Sequence, residues 1–117
     1  MQLLFILNDS PYSSDKSYNG LRTALHIQKE NPDVIILMFL MGDGVGCAIS
    51  GQKPTAVNYN MGSLIEELLA KNGKVKICKS CMDARGFPES SLIKGTEVSN
   101  MSEYSNWIIN SDKIINF

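Results

Sequence analysis

This sequence has a single His and a single Trp, no long apolar stretch and no excess of either charge. Its longest apolar run, Val34 to Met41, covers eight residues. A membrane-spanning helix needs about 20, so no membrane partner is expected. Eleven Lys and Arg stand against twelve Asp and Glu, a formal net charge of -1. Proteins that bind a phosphate backbone usually carry a clear basic surplus, so no nucleic-acid partner is expected either. Met1 to Leu7 is apolar but has no basic residue ahead of it, and Asn8-Asp9 end it early. It reads as a strand, not a secretory leader. The expected location is the cytoplasm, where thiols stay reduced and a structural disulfide is not expected. A zinc site needs four ligands. Beyond the Cys78-x-x-Cys81 pair only Cys47 and His26 remain as soft donors, and His26 falls on the far side of its helix. No metal, nucleotide or flavin cofactor is implied.

What the sequence does have is the makeup of a folded domain: 117 residues, 44% hydrophobic and 20% charged. One domain spanning residues 1–117 is the natural reading. A chain of this length buries about two-thirds of its unfolded surface.

Leu3 to Leu7 and Val34 to Met41 are continuous apolar runs, which suit strands buried on both faces of a parallel sheet. Between them Tyr18, Leu21, Ala24 and Leu25 recur at helical spacing, with Arg22, Gln28, Lys29 and Glu30 on the other side. Asp15 or Ser17 is the expected cap, and Asn31-Pro32 the stop. A short helical turn is expected within Val45 to Ser50. Met61, Leu64, Ile65, Leu68 and Leu69 mark a second helix, with Asn60 as N-cap and Gly73 as its end. Val75 to Cys78 reads as a third strand, Pro88 to Ile93 as a short helix, and Glu97-Val98 as a fourth strand. A helix carrying Tyr104, Trp107 and Ile108 follows, capped by Ser102, before a last strand at Lys113 to Ile115. Strands alternating with helices predict an α/β fold, a three-layer α/β/α sandwich on a five-stranded, mainly parallel sheet.

In such sheets reactive groups gather beyond the carboxyl ends of the strands. Three segments fall there: Asn8 to Tyr12, Met41 to Lys53 and Cys78 to Gly86. The last holds Cys78-Lys79-Ser80-Cys81-Met82-Asp83-Ala84-Arg85-Gly86. A cysteine reacts as thiolate, and nearby cations or helix amides favour that form. Lys76, Lys79 and Arg85 are the available cations, with Asp83 placed to orient Arg85. Asn8, Asp9, Asp43, Gln52 and Lys53 are expected to line the pocket. Gly42-Asp43-Gly44-Val45-Gly46 lacks the spacing of a phosphate-binding loop and reads as a flexible turn. Cys47 is expected to be buried. Cys81 either resolves a disulfide or fills space.

The stretches Asn8 with Pro11-Tyr12, Phe39-Leu40-Met41 with Asp43, Gly51-Gln52-Lys53-Pro54, the Cys78 to Gly86 loop and the tail from Trp107 to Lys113 run in one register. In that register the chain resembles the DsrE/DsrF-like family, most closely its small YchN-type members. The resemblance implies a homo-oligomer, a homohexamer or trimer, and a sulfur-relay role. Cys78, at the end of the third strand, then takes sulfane sulfur as a persulfide and passes it on, between donor and acceptor proteins. Two alternatives stand beside this one: a non-catalytic module binding a small ligand or partner segment, and a dithiol redox protein cycling Cys78 and Cys81.

Overall fold

The computed structural model describes residues 1–117. Its elements are β1 (Gln2–Leu7), α1 (Lys16–Glu30), β2 (Ile35–Leu40), α2 (Met61–Ala70), β3 (Lys74–Cys78), α3 (Lys79–Ala84), β4 (Glu97–Ser99), α4 (Met101–Asn110) and β5 (Lys113–Asn116). The five strands form one sheet in the order β4-β3-β2-β1-β5, and every neighbouring pair is parallel. The expected fold class is the observed one.

The strand order places the helices. Passing from β1 to β2 to β3 moves one way across the sheet, and right-handed crossovers put α1 and α2 on a common face. The chain returns from β4 to β5 in the opposite sense, so α4 covers the other face. Side-chain alternation follows suit. Leu3, Phe5 and Leu7 point into the larger core with Leu21, Ala24, Ile65 and Leu68. Leu4, Ile6, Leu37 and Phe39 form a smaller one under Tyr104, Trp107 and Ile108. Phe39 is 1% exposed, and burying such a ring contributes about 2–3 kcal/mol. No helix is long and apolar enough to cross a membrane.

Several local expectations are corrected. Gln28 is not on the solvent side of α1. It is 8% exposed and donates to the carbonyls of Leu68 and Lys71 at 3.3 and 2.9 Å, at the end of α2, where the Leu68 carbonyl also accepts from the Gly73 N–H. Asp15 stands at the N-cap of α1 but makes no capping bond; its carboxylate accepts from the Tyr59 hydroxyl. Ser17 lies inside the helix and donates to the Asp9 carbonyl. Asn72, with φ of 69°, is the left-handed residue after α2, and Gly73 serves instead for close packing on Leu68. Asn100, not Ser102, caps α4 by accepting the Glu103 N–H at 3.0 Å. The expected turns shift as well, to 3-10 segments at Gly42–Ala48 and Glu89–Ser91.

Candidate functional site

Cys78 is the last residue of β3 and the N-cap of α3. The C-x-x-C spacing across a helix start puts both cysteines on one side of the first turn, with Cα atoms 5.3 Å apart. That separation is within the range a disulfide spans, and the two sulfurs are bonded to each other. The expectation of two free thiols is thereby corrected: local helix geometry places the two sulfurs in contact without any demand on the rest of the chain.

Backbone amides, rather than cations, approach the sulfurs. The Cys81 N–H donates to Cys78 Sγ at 3.3 Å. The Gly42 N–H donates to Cys81 Sγ, also at 3.3 Å. Ser80 Oγ lies 3.4 Å from Cys78 Sγ. Lys79 is engaged elsewhere: its ammonium donates to the Asp83 carboxylate at 2.9 Å, and that hydrogen bond raises the lysine above its ordinary value. Arg85 Nε donates to Asp43 Oδ1 at 2.8 Å and Arg85 Nη1 to the Cys81 carbonyl at 2.9 Å. The orienting carboxylate of Arg85 is thus Asp43, not Asp83. Arg85 holds the backbone of Cys81 in place and does not touch a sulfur in these contacts. The reason is spacing: Lys79 and Asp83 stand four apart on α3, which brings them together.

Cys78 opens onto a groove of about 270 Å³ at the carboxyl end of the sheet. Its apolar walls are Phe39, Met41, Met101 and Tyr104; Lys79, Ser80, Asp83, Ser99 and Asn100 supply polar edges. Sequence reasoning missed most of this lining. Ser99 stands beside Cys78 in the β3–β4 register, and Phe39 packs its ring on Tyr104 with centroids 4.6 Å apart. Both facts need the strand order, which composition and periodicity do not supply.

The expected pocket residues do not converge on that groove. Asn8 donates to Asn116 Oδ1 and to the Phe117 carbonyl, which ties β1 to the chain end. Asp9 accepts from Ser14 at 2.6 Å. Asn8 and Asp9 line a separate depression with Lys16. Lys53 lines a third, with Tyr12 and Tyr59. Gln52 is a structural clamp. Its Nε2 donates to the carbonyls of Cys47 and Ile49, both at 2.8 Å, while its Oε1 accepts from the Tyr12 hydroxyl and the Gly62 N–H. Those bonds fix the loop before α2 and hold Tyr12, whose φ is 70°, a region that costs a non-glycine residue strain. Of the expected pocket set, Asp43 alone reaches the cysteine loop, through Arg85. Cys47 is fully buried as expected, its Sγ 3.7 Å from the Asp9 carbonyl. Burial pushes its thiol up to about 12.

Comparison with known proteins places this geometry in a lineage. The protein is similar to Protein YchN of Escherichia coli, with 34% identity over 99% of this chain and 98% of that one. The crystal structure of the E. coli YchN protein superposes with a TM-score of 0.92, at 36% identity and full coverage of both chains. An uncharacterized protein of Methanopyrus kandleri is 36% identical over 96% of this chain and 90% of its own length. The Methanobacterium thermoautotrophicum protein MTH1491, of unknown function, shares the fold at a TM-score of 0.81 with 13% identity, covering 99% of this chain and 98% of its own. The DsrE/DsrF-like family model matches residues 1–117, and the chain therefore belongs to that family, which is associated in general with sulfur relay.

Proposed function

We propose that this protein carries sulfane sulfur as a persulfide on Cys78. The reading rests on one observation: Cys78 ends β3, caps α3 and lines an open groove at the edge of the sheet. A sulfur there meets incoming groups directly, and the N–H of Cys81 points at it. In the reduced protein the Cys78 thiolate attacks the outer sulfur of a donor persulfide. The new bond joins Cys78 Sγ to that sulfur, and the donor departs as its thiolate. An acceptor thiol then repeats the exchange at the outer sulfur. Rates follow thiolate fraction, leaving-group basicity and access.

The test is mass spectrometry of the reduced protein after a persulfide donor has been added and removed. A gain of one sulfur, in wild type or in Cys81→Ser, that disappears once Cys78 is replaced by Ser supports the carrier. A gain that survives in Cys78→Ser removes Cys78 from the chemistry. The bond between the Cys78 and Cys81 sulfurs favours a second reading, a dithiol redox protein. Reversible loss of two hydrogens in wild type but not in Cys81→Ser, with no sulfur taken up by either protein, selects that one.

Assembly into a homo-oligomer belongs to the same proposal. Tyr104 and Trp107 are occupied against Phe39, so they are poor candidates for the contact. Ile109, Met101 and Ile114, at 78%, 66% and 46% exposed, offer apolar surface for another copy. Light scattering at micromolar concentration tests this, and a monomer there counts against it.

A further inference from the structure

The two bonded sulfurs face different surroundings. Cys78 lines the groove and Cys81 does not. Cys81 Sγ lies on the inner side of the loop, under the Gly42 N–H and 3.9 Å from Met41 Sδ. Arg85 fixes the Cys81 backbone through its carbonyl, and Asp43 fixes Arg85. Cys78 Sγ thus stands between an inner sulfur and an open groove. Displacement at sulfur needs the attacking and leaving groups on opposite sides of the central atom. A persulfide on Cys78 extending into the groove would meet that condition, with Cys81 behind it.

From this placement we infer that Cys81 discharges the Cys78 persulfide and releases its outer sulfur as hydrosulfide. The inference rests on the carrier reading and goes one step past it. Cys81 loses its proton to solvent and attacks Cys78 Sγ. The bond that forms is Cys78 Sγ–Cys81 Sγ, the bond present in the structure. The bond that breaks joins Cys78 Sγ to the outer sulfur. That sulfur keeps its hydrogen, takes the electron pair of the broken bond and leaves through the groove as HS⁻. Cys81 is oxidised from thiolate to disulfide, and the outer sulfur is reduced from persulfide to sulfide. Returning to the start takes an external dithiol or small-molecule thiol, which reduces the Cys78–Cys81 bond. The structure then corresponds to the state just after release, and an acceptor protein is not required for the sulfur to leave.

A single-turnover experiment tests this. The fully reduced full-length protein is loaded with glutathione persulfide and freed of excess reagent. Sulfide is then trapped with monobromobimane while the protein mass is followed. Wild type is expected to release one sulfide per chain and to finish two hydrogens lighter than the reduced protein. Cys81→Ser is expected to keep the added sulfur, with sulfide release lowered roughly tenfold or more. Cys81→Ala provides a second variant without a hydroxyl. If wild type holds its added sulfur as long as these variants do, the discharge role is overturned while the carrier reading stands. If the Cys81 variants take up no sulfur at Cys78, the carrier reading itself fails, and the discharge step with it.

Discussion

The two faces of the sheet hold cysteines of opposite character. One face is covered by two helices, and Cys47 is sealed into its core among Leu21, Ala24, Met61 and Ile65. The other is covered by α4 alone, and past the start of that helix Cys78 meets the groove. Residue type is therefore a poor guide to reactivity here. What separates the two thiols is how completely the helices cover the strands beneath them. Burial keeps Cys47 protonated and inert, whereas a strand end left uncovered leaves Cys78 open to reagents.

The widest gap between the faces lies in thiol chemistry. With its thiol pushed up to about 12, Cys47 is ionised to only about one part in ten thousand at about pH 8. Iodoacetamide added to the reduced, folded protein at that pH is expected to label Cys78 roughly a hundredfold faster or more. Peptide mapping reads the two rates. Equal labelling in the folded state would erase the distinction between the faces.

A smaller effect concerns stability. Cys47→Ser replaces a packed sulfur with a hydroxyl in an apolar core, and the change is expected to cost about 1–3 kcal/mol by urea unfolding. Sulfur uptake by Cys78 is expected to stay unchanged. A Cys47→Ser protein that is fully stable yet no longer accepts sulfur would contradict the assignment of the two faces.

The smallest effect lies on the α4 face. Lys76 donates to Glu103 at 2.6 Å and sits over the Trp107 ring. The Lys76 ammonium, then the Ser99 hydroxyl, hold the Glu103 carboxyl below its ordinary value. The sign follows from that direction. A carboxyl depressed in the folded state adds stability above its unfolded value of about 4.3 and loses it as pH falls through the folded value. Glu103→Gln is expected to be slightly less stable than wild type near neutral pH, with the difference closing below about pH 4. A difference that grows on acidification would reverse the assignment.

The architecture was legible from the sequence because the five strands and the three longer helices announced themselves locally; the short α3 did not. Within the Val34 to Met41 run, Ile36 to Leu40 are buried as the apolar spacing implies, as are Ile65 and Leu68, whereas Ile35 stands half exposed at the strand start. The place of Cys78 at the end of β3 was legible for the same reason. Two kinds of information were out of reach. One was strand order, without which Ser99, Asn100, Met101 and Tyr104 have no visible relation to Cys78. The other was the choice among nearby partners of opposite charge. Arg85 had both Asp83 and Asp43 within plausible reach, and only the fold of the Gly42–Ala48 segment brings Asp43 to it. Gln28 shows a related failure: an amide on a helix looks like solvent-facing polarity until a neighbouring helix end offers it carbonyls.

None of the ten residues of α4 is fully buried, yet this helix supplies Met101 and Tyr104 to the wall of the groove. Fit and foldedness are consequently assigned to different parts of the chain. The contour beside the reactive sulfur is open to remodelling by substitutions at the rim, such as at Met101, while the double-helix side keeps the protein intact.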